Sequence, residues 1–317
     1  MTTLTKPVQT YLNGFLHSSN DEPAEIFPNG TKKWYQNGQL HRDNDLPAVI
    51  YGSGTQEWYQ NGKRHRTNGP AVIYLDGTEE WWQNDGRHRE QDLPAVIRDG
   101  EKEWWQNGKL HRDNDLPAVV WDNGHQEWYQ NDELHRENDL PAFIDEDGTR
   151  MWYQHGEQHR ENDLPAVIYS HGQREWYQHG KLHRNRDLPA VIRRNGTQEW
   201  YQNGERYRDN DLPVVITFNG KQEWWQNGKR HRDNDLPAVI YPDGTQEWYQ
   251  NGKLHRENDL PAVIYFHGEQ NWYRHGKLHR ENDLPAVIRR NGTKEWYRNG
   301  ELDGVHLDFI AKTTFCI

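Results

Sequence analysis

A glutamate, a tryptophan, a histidine, an arginine and an aspartate recur together along this 317-residue chain. In the copy spanning residues 243–264 they are Glu247, Trp248, His255, Arg256 and Asp259. These residue types have three chemistries open to them. Imidazole and carboxylate ligate metals, or act as an acid–base pair. Aromatic faces bind sugars, or quaternary ammonium by cation–π contact. The spacing argues against the first two. Zn–N bonds of about 2.1 Å need ligand atoms within a few ångströms of one another. Equivalent histidines are a whole repeat apart, roughly 10 Å or more. An active site is a single concave constellation, not a dozen equivalents, and the chain has neither a nucleophile motif nor a phosphate loop. No catalytic residue, cofactor or metal ligand is assigned, and the chain is read as non-enzymatic. Aromatic binding stands as an alternative: a multivalent carbohydrate- or choline-binding module with repeated weak pockets. The favoured role for the aromatics is an inter-repeat core.

The element that positions these residues is a repeat. Trp248 has counterparts at Trp34, Trp58, Trp81, Trp104, Trp128, Trp152, Trp176, Trp200, Trp224, Trp272 and Trp296. The spacing is 24 residues except for two 23-residue steps, ending at Trp81 and Trp104. A fixed period in this range marks a tandem array, in which each unit contacts mainly its neighbours. The fold class expected is all-β, an elongated antiparallel β-hairpin array with a twisted-sheet or solenoid architecture. Residues 1–10 read as a tail and 11–300 as a single repeat domain. A degenerate cap copy occupies 11–29, with Thr10 at the tryptophan position, and twelve Trp-centred copies follow. Residues 301–317 read as a C-terminal cap or a partner-docking tail.

Asn251-Gly252 is a type I′ hairpin signal, and Asn-Gly stands at seven of the twelve copies. A two-residue loop sets Tyr249 opposite Leu254, Trp248 opposite His255 and Glu247 opposite Arg256. Glutamate precedes the tryptophan in nine of twelve copies, so a cross-strand Glu–Arg ladder is expected, at roughly 0.2–1 kcal/mol per pair. The histidine is expected to stack on the tryptophan. A second turn, at Asp243-Gly244, joins residues 238–240 to a strand over 245–250. Leu260 is expected beneath the corner made by Pro261, with Asp259 bound to backbone amides or to Arg256. Asp85-Gly86 reads as a turn whose glycine has moved one place. The loop Thr67-Asn68-Gly69-Pro70 is one residue short. At two to three strands per repeat, twelve copies would extend roughly 120–170 Å.

Composition sharpens the picture. Apolar content is 32% and mean hydropathy is −1.25, values typical of disorder. Yet 16 Trp, 16 Tyr and 7 Phe sit at fixed repeat positions, enough for a thin core. A net charge of −11 argues against nucleic-acid and anionic-lipid partners. Protonating all 18 histidines would reverse its sign. The single cysteine, Cys316, allows no intrachain disulfide. Neither a signal core nor a run of transmembrane length is present. A cytoplasmic protein, or one packaged in a virion, is expected.

The string YPDGTQEWYQNGKLH over residues 241–255 resembles the MORN repeat family. It is closer still to the MORN-variant repeats of bacterial antitoxin-labelled, phage and large-DNA-virus proteins. The likeness is carried by Gly244, Trp248, Tyr249, Asn251, Gly252 and His255, and covers residues 11–300. It implies a hairpin array used as a scaffold or for dimerisation. The function expected is protein–protein interaction or structural assembly, in a viral or phage setting, with an antitoxin-like binder as a further alternative. Positions that differ among copies are the candidate interaction surface: Trp121, Asp145, His171, Arg193, Thr217, Tyr241, His267 and Arg289. A protein partner or self-association is expected, with carbohydrate as an alternative ligand and no membrane insertion.

Overall fold

The computed structural model describes residues 6–306. Among them there is no helix; every regular element is a short antiparallel strand. The protein is an all-β repeat array. Its chain divides into two compact units, one up to Gln158 and one from His159.

One copy explains the rest. The ladder strand Gln246–Glu247 lies between two others. Val239 and Ile240 face Glu247 and Gln246 on one side, and Ile264 and Val263 face Gln246 and Glu247 on the other. The hairpin is separate: Tyr249–Gln250 pairs with Lys253–Leu254, in the expected register of Tyr249 with Leu254. Trp248 is the hinge. Its N–H donates to Ala262 O in the ladder at 2.8 Å, and its carbonyl accepts from His255 N in the hairpin at 3.0 Å. The expected continuous strand over 245–250 is therefore two strands in different sheets. Glu247 faces Val239 and Val263, so the expected Glu247–Arg256 ladder does not form.

Three tight turns shape each copy. Asn251 and Gly252 have φ of 50° and 81°, the double left-handed geometry of a type I′ turn. The residues before the proline repeat that geometry. Asn258 and Asp259 have φ of 58° and 55°, and Leu260 N donates to Glu257 O at 3.3 Å. At the third turn Gly244 N donates to Tyr241 O and Tyr241 N to Thr245 O, each at 2.9 Å. The Asp243 carboxylate accepts from Thr245 N at 2.8 Å. The Asp85-Gly86 expectation is corrected. The turn residues there are Asn84 and Asp85, with φ of 51° and 69°, and Gly86 begins the strand Gly86–Arg87. The turn has not moved; aspartate holds the place that glycine takes elsewhere.

The core is thin, as the composition requires. Ala262, Val263 and Trp248 are buried, and their counterparts repeat this along the chain. Leu260 is not beneath the corner: it is 38% exposed, as are its equivalents Leu236 and Leu284. Adjacent hairpins share one backbone bond, such as Gly252 N to Arg230 O at 2.9 Å.

At the N-terminal end Thr10 reproduces the hinge bonds of Trp248, donating to Ala24 O and accepting from His17 N. The residues expected as a tail include a ladder strand, Val8–Gln9, paired with Glu25–Ile26. At the other end Lys294–Arg298 pairs with Glu301–His306, with a register shift at Trp296 and Tyr297. The rest of the expected C-terminal cap lies outside the described residues.

Candidate interaction site

The recurring charged residues form a lock between successive copies. Arg256 lies over the Trp248 ring, 3.8 Å from its centroid. Its Nη1 donates to Pro261 O at 3.4 Å. Its Nε and Nη2 donate to the two carboxylate oxygens of Asp235, in the preceding copy, both at 2.8 Å. The carbonyl of the same Asp235 accepts the Trp248 indole N–H at 2.9 Å. One aspartate thus satisfies the arginine fork with its side chain and the indole with its backbone. Asp259 repeats this with Arg280 and Trp272, not with Arg256 as expected. The same pairing recurs at Asp21–Arg42, Asp45–Arg66, Asp92–Arg112 and Asp115–Arg136 in one unit, and at Asp163–Arg184, Asp187–Arg208 and Asp211–Arg232 in the other. The type I′ turn at Asn258-Asp259 presents both groups on one side, and sequence reasoning missed it. The signal was available: Asn-Asp before Leu-Pro recurs as regularly as Asn-Gly. Hydrogen bonds from arginine hold Asp45, Asp92, Asp115, Asp163, Asp187, Asp235 and Asp259 below the usual carboxylate range.

The histidines have a different task from the one expected. His255 does not cover Trp248; its ring stacks on His275, with centroids 4.6 Å apart. Its Nδ1 lies 3.3 Å from His275 N in the next turn, and its Nε2 is 2.8 Å from a Glu257 oxygen. A backbone N–H only donates, so Nδ1 accepts and the proton sits on Nε2, donating to the carboxylate. Each such histidine joins two copies. Among the described residues no group of three His, Cys, Asp or Glu side chains is placed to hold a metal ion.

The glutamates line the ladder and bind the aromatic two residues on. Tyr249 and Tyr241 hydroxyls donate to the two Glu247 oxygens at 3.0 and 3.2 Å. Burial, then the Glu247 charge, pushes the Tyr241 hydroxyl up to about 12. Glu199 is 2% exposed. Burial opposes its ionisation, but hydrogen bonds from Arg193, Arg206 and Tyr201 outweigh that and hold it below its ordinary range.

The candidate surface residues divide between two environments. Trp121, His171, Arg193 and Arg289 are exposed, whereas Asp145, Thr217, Tyr241 and His267 are half-buried. Several bend onto their own or a neighbouring copy. Arg289 donates to Glu295 at 2.8 Å, and the Asp145 carboxylate lies 3.2 Å from His125 Nδ1. They do not converge on one point. The residues that sequence reasoning missed are the turn tips beside them. Leu75, Phe218 and Phe266 are 76%, 69% and 66% exposed.

Two grooves lie beside residues that depart from the repeat, and smaller ones of about 410 and 240 Å³ lie at regular copies. Tyr207 stands where other copies have histidine, and its hydroxyl donates to Asp209 at 2.5 Å. A groove of about 760 Å³ lies beside it, lined by Arg206, Trp225, His231 and Asp233. Near Trp121 a cavity of about 570 Å³ is lined by Glu101, Glu103, His125 and Asp145. Burial, opposed by Arg98, raises the Glu101 carboxyl above its usual range, and the nearby Glu103 adds to the rise. His125 Nε2 is 2.8 Å from Glu127, so its two ring nitrogens are taken by Glu127 and Asp145. No protein-family model matches the chain, and no curated protein matches it either.

Proposed function

We propose that this chain is a non-enzymatic repeat scaffold that binds other proteins through the variable turn tips between its ladder strands. The observation that carries this reading is the exposure of Leu75, Phe218 and Phe266, at 76%, 69% and 66%. All three stand at one repeat position, two places before the turn glycines Gly77, Gly220 and Gly268. An exposed Leu or Phe at an ordered turn offers a protein partner an apolar anchor to bury. The recurring residues, by contrast, are spent on joining copies. The Trp rings carry an arginine on one face, 3.7 Å away at Trp81 and 4.0 Å at Trp58. This favours the scaffold over a ladder of open sugar- or choline-binding pockets. The likeness to MORN repeats supports the same reading, in which viral or phage assembly and capture of a toxin-like protein are two settings for one binding mode.

The test is affinity capture from the native source with wild type and with the triple variant Leu75→Asp, Phe218→Asp, Phe266→Asp. The expected result is a protein retained by wild type and lost by the variant at unchanged circular dichroism. An identical captured set from both would overturn the proposal.

A further inference from the structure

One lock in the series is vacant. The loop Thr67-Asn68-Gly69-Pro70 is a residue shorter than the Glu257–Pro261 segment, and it has no aspartate. The arginine and tryptophan that would close on that aspartate are nonetheless in place. Arg89 lies over Trp81 at 3.7 Å, the same stack as Arg256 over Trp248 at 3.8 Å. Arg89 Nη1 donates to Pro94 O at 3.0 Å, as Arg256 Nη1 does to Pro261 O. The guanidinium is therefore held in the position that elsewhere directs Nε and Nη2 at a carboxylate. Among the described residues, no carboxylate pairs with Arg89, and Nε, Nη2 and the Trp81 indole N–H make no hydrogen bond. None of these three atoms is sealed from solvent. Trp81 is half-buried, whereas Trp58 and Trp104 on either side are buried. Glu79 acts on Arg89 through its charge but forms no ion pair with it. Burial without a counter-ion is the largest influence on Arg89 and works against its charge.

The neighbouring locks show what such a site holds. At Asp45 the carboxylate takes Arg66 Nε and Nη2 at 2.9 and 2.8 Å, and the Asp45 carbonyl takes the Trp58 indole at 2.9 Å. At Asp92 the corresponding distances to Arg112 and Trp104 are 2.7, 2.9 and 3.0 Å. A fixed fork recognises a planar carboxylate bidentately, and pre-ordering it on an aromatic face lowers the ordering cost of binding. We infer that Arg89 and Trp81 form a binding site for an aspartyl unit of another polypeptide, with its carboxylate on the Arg89 fork and its main-chain carbonyl on the Trp81 indole. The inference deepens the protein-binding reading and rests on it only for the source of the aspartyl unit. The site itself is tested without any partner.

The probe is N-acetyl-aspartate N-methylamide, which carries both acceptors, with acetate as the carboxylate-only control. The readout is the Trp81 indole and Arg89 Nε–H resonances of the full chain, assigned with Trp81→Phe and Arg89→Lys. Expected are saturable shifts of both resonances in the millimolar range, with acetate at least several-fold weaker. A variant with Thr67-Asn68-Gly69 exchanged for Glu-Asn-Asp-Leu should fill the site from within and abolish the response. Arg89→Lys, which keeps the charge and loses the fork, should abolish the Trp81 shift without touching the loop. Absence of saturable shifts would overturn the site. So would equal shifts in the loop-filled variant, or acetate matching the probe. The tip variant of the preceding section retains Arg89 and Trp81, so the probe still binds it even if the turn-tip reading fails.

Discussion

Arg256 makes three contacts at once: a stack on Trp248, a bond to Pro261 O and a fork on Asp235. Lysine keeps the charge but has no planar fork and stacks poorly. Arg256→Lys should therefore cost about 1–2 kcal/mol, whereas Arg89→Lys, with no carboxylate to lose, should cost less than about 1. Urea midpoints of the two variants check the difference. The lock also sets a pH dependence. Asp235 is held below its ordinary range by the Arg256 hydrogen bond. A carboxyl lowered in the folded state stabilises fully above its unfolded value of about 3.9, and loses that contribution as pH falls through the lowered folded value. Asp235→Asn should show a smaller fall in urea midpoint than wild type as pH drops from about 5 to about 2. An equal fall would mean that the pair is too solvent-screened to matter. The sequence showed that Arg256 needs an acid but not which one. Glu247 and Asp235 both recur with the period of the repeat, so regular co-occurrence fits a partner in the same copy or in the preceding one. The break in the strand at Trp248 decides between them, and hydrophobic alternation carries no trace of that break.

At the scale of elements, the two-residue hairpin was legible because Asn-Gly demands left-handed backbone at both positions. The second such turn, at Asn258-Asp259, was not, because it closes no strand pair. It aims one side chain and one carbonyl at the next copy. Left-handed geometry is cheap for glycine and costly for a residue with a Cβ. At Gly252, φ is 81° and an added Cβ would also touch Lys229 at 3.5 Å. Gly252→Ala should cost about 1 kcal/mol. At Gly52 the obstacle is space: a Cβ would lie 1.9 Å from Asn29 O, so the two turns must separate. Gly52→Ala should therefore be the more destabilising of the two. Thermal melts of both variants, followed at the tryptophan fluorescence, test that order. A reversed order would place the main constraint in the hairpin turns rather than in the contact between the ladder turns.

Within each unit the locks, the histidine bridges and the ladder join one copy to the next. Arg256 reaches Asp235, His255 meets the turn at His275, and Glu247 lies between Val239 and Val263. In such an array stability is approximately a sum of copy and neighbour terms, so a whole copy is removable while a fraction of one is not. Deleting residues 225–248 brings Trp224 before Tyr249, and removes Arg232, the partner of Asp211, together with Asp235, the partner of Arg256. Asp211 then stands one period before Arg256 and can replace Asp235 in the lock. The deleted chain should keep its far-ultraviolet dichroism per residue and a cooperative melt, with a lowered urea midpoint. Deleting residues 237–248 removes two ladder strands, Val239–Ile240 and Gln246–Glu247, and Trp248, but leaves the hairpin before Arg232, so Leu236 would be followed directly by Tyr249. Two hairpins then follow each other with no ladder strand between them, and Arg256 is left without the Trp248 ring it stacks on. That chain should lose cooperative unfolding although it is the longer of the two. If instead the 24-residue deletion is the more damaging, nearest-neighbour terms do not dominate. Contacts beyond adjacent copies would then be holding the array together.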